Sequence, residues 1–279
     1  MICFRLLDSN DPAQPLADAV RALASETASQ DTYEVEPASF RHIPNAPFAY
    51  WVSEKIRKLF VTLPPFENEE RTATVGLQTG DDFRFVRIGW ESPVNQSELT
   101  NRTWFHFAKG GSYSPFYADV FLKVNWHDSG LELDTFAGSV LRNTNYYFRP
   151  GLTWPRRTTS GMSLRVMPAN CVFGDKGPAI FMEGSDSASF LTTLTIILSQ
   201  PCLALISLQL AAADAAARSY EVGVIQRTVI PNNNDNKLPN LATHAWQNKR
   251  KPDTANLTSH AFVAPALAPS RVRSTPDSK

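Results

Sequence analysis

An α+β fold, with a mixed, β-rich segment flanked by helices, is what the sequence predicts. Three observations carry this. Helical patterning occupies residues 11–28 and 47–60. From Thr72 to Phe181 the chain turns to short aromatic and β-branched runs separated by Gly, Pro, Asn and Ser. Apolar helical patterning then returns at about 188–218. Proline (20) outnumbers glycine (13), the reverse of ordinary usage, so rigid turns and extended connections are expected rather than long helices.

Taken in order, Asp11 can cap a first helix over 11–28, with Pro12 at its first position and alanine and leucine following. Tyr33–Val35 reads as a short strand. In 47–60, Val52, Ile56, Leu59 and Phe60 share one helical face, and Pro64-Pro65 stops any continuation. The strand candidates are 84–88, 103–107, 120–126, 145–148, 163–167 and 179–181. The most apolar stretch, Phe190 to Ala213, contains Pro201 and several Ser, Thr and Gln residues. It therefore reads as two buried helices joined at Ser199–Pro201, Ser199 capping the second, and not as a membrane span. After Ile230 comes a turn-rich linker, then a weak helix near 241–249 and a tail from 268 expected to be disordered.

Composition narrows function mainly by exclusion. The 279 residues suit one large domain or two small ones, and 27 basic against 27 acidic residues name no partner. The three cysteines, Cys3, Cys171 and Cys202, form neither a disulfide frame nor a metal knuckle, which fits a reducing, cytoplasmic compartment. The start has no secretory signal pattern, so the N-x-[ST] sequons at Asn95, Asn101 and Asn256 read as chance matches. The five histidines lack zinc spacing, no G-x-S-x-G elbow occurs, and the Lys109-Gly110-Gly111 run has neither Walker nor dinucleotide spacing. His106, between Phe105 and Phe107, reads as an ordinary strand histidine. Leu63-Pro64-Pro65-Phe66 is close to the Asp/Asn-Pro-Pro-aromatic site of amino-group DNA methyltransferases, but Leu63 offers no acceptor to an exocyclic amine. The run reads as a helix stop.

What stands out is basic and aromatic. The 40 residues between Asp134 and Asp175 contain no Asp or Glu, while Arg142, Arg149, Arg156, Arg157 and Arg165 give the stretch +5. Tyr146, Tyr147, Phe148 and Trp154 interleave with them. Guanidinium groups among aromatic rings suit phosphate, guanine-edge and stacking contacts. The ordinary alternative is a surface of solvated arginines.

A series of segments in fixed order gives a more specific indication: PFAYWVS (47–53), GLQTGDDFRFVR (76–87), FHFAKGGSYSPFY (105–117), VNW (124–126), residues 145–181, YEVGVIQRTVIP (220–231) and NLTSHAFVAPAL (256–267). This string resembles the C-terminal, target-recognition part of BREX-type, PglX-like adenine-specific DNA methyltransferases. TaqI-like and fused restriction–methylation enzymes are the wider relatives. In that family an N-terminal domain binds S-adenosylmethionine and carries the Asn-Pro-Pro-Tyr site, while a C-terminal domain reads DNA. The resemblance therefore implies a DNA target-recognition portion of an N6-adenine methyltransferase of a phage-defence or restriction system, with no cofactor held by this chain. Its partners would be duplex DNA and a missing methyltransferase domain or catalytic subunit. The chain would be a fragment, a truncated product or one half of a split enzyme. The implied organisation is a helical remnant of the methyltransferase domain over 1–66, the recognition domain over 67–232, a helical extension over 233–267 and a tail over 268–279.

On this reading Lys109, Gly110 and Gly111 are phosphate-contact candidates, because backbone amides approach an anion closely where no side chain intervenes; a plain glycine turn is the alternative. Arg156 and Arg157, after Trp154-Pro155, are candidates for base or backbone contact, and Arg149 joins them. Trp154 belongs to the same loop, more as its anchor on the core than as a stacking surface. Gln78, Thr79 and Arg84 form a second candidate loop. Two departures put base specificity in doubt: Ser112-Tyr113-Ser114-Pro115 follows the glycines where relatives usually have a Trp-Tyr-Gly-Asn-like run, and Asn256 and Leu257 stand where acidic residues are frequent. The alternative is a protein-interaction subunit docking through the helices of 188–213 without touching DNA.

Overall fold

A computed structural model describes residues 1–7, 10–27, 31–92, 103–184, 186–210, 218–232 and 237–265. The sequons at Asn95 and Asn101, part of the post-230 linker and the tail from 268 lie outside the described residues. In chain order the first elements are β1 (Ile2–Phe4), α1 (Ala13–Ala24), β2 (Thr32–Glu34), α2 (Glu54–Thr62), β3 (Arg71–Thr74), α3 (Asp82–Phe85), β4 (Val86–Ile88), β5 (Trp104–Ala108), β6 (Leu122–Asn125) and α4 (Leu131–Thr135). There follow β7 (Gly151–Thr153), β8 (Arg157–Thr158), β9 (Arg165–Met167), β10 (Cys171–Phe173), β11 (Ala179–Met182), α5 (Ser187–Leu198), α6 (Gln200–Gln209), β12 (Arg218–Ser219), α7 (Val222–Arg227) and α8 (Lys237–Arg250). The fold is α+β, as the sequence predicts.

Two four-stranded sheets and one helical layer build the centre. One sheet has the order β10-β5-β6-β4, with β10 and β5 parallel; the other, β3-β11-β7-β9, is antiparallel throughout. Strand β11 shows how the layers stack. Its Ile180 and Met182 join Ala73, Leu152 and Trp154 in a core closed by Leu194, Ile197, Cys202 and Ile206 of α5 and α6 and by Val224 and Ile225 of α7. Its Ala179 and Phe181 point the other way, into a second core with Phe107, Val124, Val172 and Phe173 of the first sheet. Side chains alternate across a strand, so a sheet covered on both faces needs an unbroken apolar run, and Ala-Ile-Phe-Met supplies one.

Local chemistry explains where the elements begin and end. The Asp11 carboxylate accepts from the Ala13 N–H (3.0 Å), so the first helix starts as expected but ends earlier, at Ala24. Ser53 accepts from Ile56 N–H and starts α2 at Glu54 rather than 47, because Asn45 and Ala46 at positive φ hold the preceding residues in a turn. Ser199 caps α6 through Cys202 N–H, with Pro201 in the first turn, and α5 and α6 meet at a 65° bend. Among the described residues no single helix is long and apolar enough to cross a membrane.

Three expectations are corrected. Residues 145–148 are not a strand: a 3-10 turn covers Thr144–Tyr146, Asn143 and Phe148 have positive φ, and the aromatic rings serve the second core. In 84–88 only Val86–Ile88 pairs as strand, because the Asp81 carboxylate accepts from Arg84 N–H and starts the short helix α3. The late helix is longer than expected and begins at Lys237, with Pro239 in its first turn, where a missing N–H costs nothing. It packs on α5.

The C-terminal segment is latched to the first sheet's flank. The Asp119 carboxylate accepts from the Ser259 hydroxyl (2.9 Å) and the His260 N–H (3.0 Å) and lies against the His260 ring, while the Tyr117 hydroxyl donates to Asp253 (2.9 Å). Burial alone would push the Asp119 carboxyl up, but the bonds from His260 and Ser259 hold it below its ordinary value. A depressed carboxyl contributes stability that is present above its unfolded pKa, near 4, and is lost as pH falls through the lower folded value. Thermal melts should show Asp119→Asn less stable than the parent chain at about pH 6, with the gap closing near pH 3. A gap that stays constant over that window would remove the latch as its cause.

Candidate functional site

Four loops meet where the two sheets adjoin. The first, 77–82, is tied to the last, 174–177, by the Asp175 N–H donating to the Leu77 carbonyl (3.0 Å). The second, 108–113, leaves β5 through Lys109. The Lys109 ammonium pairs with Asp82, and the Asp82 carboxylate also accepts from the Thr79 hydroxyl. Burial opposes the charge on Asp82, but the bonds from Lys109 and Thr79 outweigh it and hold its carboxyl low. The third loop, 154–157, leaves β7, and Arg156 N–H donates to the Lys176 carbonyl (3.0 Å).

Gly110 stands at the crossing. Its φ of +86° and that of Gly111, +118°, lie in the left-handed region that favours glycine, and a Cβ on Gly110 would meet the Lys176 carbonyl at 2.6 Å. The Pro155 Cα would be 3.5 Å from the same Cβ. A cleft of about 130 Å³ beside this crossing is lined by Lys109, Gly110, Gly111, Asp119, Thr153 and Arg165 among others.

The structure thus brings together Lys109, Gly110, Gly111, Arg156 and Arg157 from the candidate set, with Gln78 and Thr79 at the margin. Gln78 pairs backbone to backbone with Val140, and its side chain reaches the Gly138 carbonyl (3.5 Å). Arg156 is half-buried and pairs with Glu221 (2.8 Å), and Arg157 is exposed on β8, which pairs with β12. Two candidates lie elsewhere. Arg149 precedes β7 while Arg156 follows it, so the strand separates them; Arg149 pairs with Glu183 (3.0 Å) and lies over the Tyr146 ring. Arg84 pairs with Glu132 (2.7 Å) on α4 and lies over Phe136. Trp154 is fully buried, and its Nε1–H donates to the Tyr220 carbonyl (2.8 Å), so it anchors the third loop and offers no surface for stacking.

Two cations of this cluster escaped the candidate set. Lys176 pairs with Asp175 (3.2 Å) at the end of the acid-free stretch. Arg165 is 4% exposed and donates to the Gly110 and Ser112 carbonyls. Strand parity was the available signal, since Arg165 shares a face with Met167, which is wholly buried. With no carboxylate beside it, burial pushes the Arg165 guanidinium down to about 10.

The proline pair is built into the core. The Pro64 carbonyl accepts from Ile230 N–H (3.1 Å), and Phe66 is fully buried in the first core. Neither that carbonyl nor that ring is free to receive a flipped base, so these residues do not fit a methyltransferase's adenine site.

No known protein-family profile matches the chain. It is similar to the adenine-specific methyltransferase BrxX of Escherichia coli O9:H4 (strain HS), 29% identical over 203 residues, which cover 71% of this chain and 16% of that protein. It is also similar to the adenine-specific methyltransferase PglX of Lacticaseibacillus casei (strain Zhang), 27% identical over 193 residues, or 58% of this chain and 16% of that protein. The chain's distant relatives are therefore adenine-specific methyltransferases, and its matched residues span about a sixth of their length.

Proposed function

We propose that this chain is the DNA target-recognition part of an adenine-specific (N6) DNA methyltransferase of a BREX-type phage-defence system. It grips duplex DNA and leaves S-adenosylmethionine binding and methyl transfer to another polypeptide segment. One observation carries the reading. The four-loop cluster gathers Lys109, Arg156, Arg157, Arg165 and Lys176 against the carboxylates of Asp82, Asp175 and Glu221, beside glycine backbone that admits close approach. Phosphate contacts of this kind set the register of the duplex, and a base is extruded only once the duplex is held.

Replacing Arg156 and Arg157 together by alanine tests this. The double variant should weaken binding to a DNA duplex in a gel shift and lower the log–log salt slope by about 1.8. Its melting temperature should stay close to the parent's, since exposed ion pairs contribute about 0–1 kcal/mol. Unchanged affinity would remove this loop from the interface, and a parent chain with no affinity for DNA would end the reading.

A second reading has its own observation, in a different place from the one the sequence suggests. Leu194, Ile197, Cys202 and Ile206 of α5 and α6 are buried in the first core. On α1, however, Leu16, Val20 and Leu23 lie on one face and are 40–48% exposed, near in sequence to exposed Phe48 and Trp51. That stripe favours a protein partner, and copurification with a catalytic subunit but no DNA affinity in either form would support it.

A further inference from the structure

Arg165 reaches from β9 beneath the loop that follows β5. Its Nη1 donates to the Ser112 carbonyl (2.9 Å) and its Nη2 to the Gly110 carbonyl (2.5 Å). In a trans peptide the C=O and the following N–H point in opposite directions. Two carbonyls drawn down onto the guanidinium therefore turn the N–H groups of Gly111 and Tyr113 away from it. Both residues are exposed, and neither N–H has a hydrogen-bond partner among the described residues. The positive φ of Gly110 and Gly111 makes this turn possible. The carboxylates nearest the loop are already engaged, Asp82 with Lys109 and Thr79, Asp119 with Ser259 and His260.

We propose that Arg165 is the positioning residue of a phosphate seat formed by the N–H groups of Gly111 and Tyr113, which takes a phosphodiester oxygen of duplex DNA. Arg165 acts through the peptides and touches no ligand. A guanidinium suits this role because its rigid fork holds two carbonyls at once, and a cation bonded to a carbonyl in a low-dielectric setting polarises the N–H on the other side of the same peptide. Lysine keeps the charge but lacks the fork. The inference rests on the DNA-binding reading and adds the backbone groups and the residue that aims them.

Amide NMR on the intact chain, titrated with a mixed-sequence DNA duplex and separately with inorganic phosphate, is the test. The duplex should shift the Gly111 and Tyr113 amide signals downfield. Arg165→Lys, verified as folded by its thermal melt, should lose those shifts and lower the salt slope by about 0.9 for the one phosphate released. Duplex binding that leaves both amides unmoved, or an Arg165→Lys protein with the parent's shifts and slope, would overturn the proposal while the DNA reading stands. If the parent binds no duplex, the DNA reading falls. Inorganic phosphate moving both amides would then keep the seat with free phosphate as its ligand, and phosphate leaving them unmoved would overturn the seat as well. The parent's own spectra decide this even if the Lys variant does not fold.

Discussion

Raising salt from about 50 to about 200 mM should weaken duplex binding by this chain roughly 500-fold, on a count of about five phosphate contacts at a slope near −0.9 each. The count follows the cations gathered at the loop cluster: Lys109, Arg156, Arg157, Arg165 and Lys176, with Arg165 acting from beneath its loop. Lys109, Arg156 and Lys176 already hold carboxylates, so each exchanges a protein anion for a DNA phosphate. That exchange lowers the net gain per contact, but the counterions released belong to the DNA, so the slope is kept. A gel-shift titration checks both numbers. A flat plot of log affinity against log salt would show that the cluster is internally neutralised and leaves the phosphates alone.

Trp154→Ala should be the most damaging single change in the third loop. The ring is fully buried between β7 and α7, and its Nε1–H satisfies the Tyr220 carbonyl at 2.8 Å. Truncating a buried tryptophan costs about 3–5 kcal/mol. In a chain of this size that corresponds to a fall of roughly 10 °C in melting temperature. Trp154→Phe keeps most of the packing but strands the Tyr220 carbonyl, an intermediate loss of about 1–3 kcal/mol. Differential scanning calorimetry distinguishes the series. The alanine variant should also lose DNA affinity, since the same ring fixes where Arg156 and Arg157 begin. Stability and affinity therefore fall together at Trp154 and separate at the arginines. A melting temperature within about 2 °C of the parent's would contradict the packing described.

The parts of the fold legible in the sequence were those written in local chemistry. Ser199 and Pro201 announce the break between α5 and α6, Asp11 announces the start of α1, and 103–107, 120–126 and 179–181 carry strand-forming runs that pair as β5, β6 and β11. What stayed hidden depends on distant partners. Cys171–Phe173 is a strand because it lies parallel to His106–Ala108, some 65 residues earlier, and nothing within those three residues says so. Tyr146, Tyr147 and Phe148 carry strand-like composition, yet their rings are spent on the second core while the backbone turns. The candidate site divides the same way. Lys109, Gly110 and Arg156 were visible as types in a pattern, whereas their meeting depends on the Lys176 carbonyl, and the separation of Arg149 and Arg84 depends on Glu183 and Glu132.

The ladder beside the proline pair has a consequence of its own. Phe66 N–H donates to the Thr228 carbonyl (2.8 Å), Glu67 N–H to Gln226 (3.1 Å) and Ile230 N–H to Pro64 (3.1 Å). The chain therefore enters and leaves the two-sheet body at one point, like a loop tied at its neck. A body joined that way can be transplanted as a cassette, because neither end must travel to meet a new host. Exchange of such a cassette between related polypeptides would replace the whole loop cluster in one step while leaving the helices outside the neck in place.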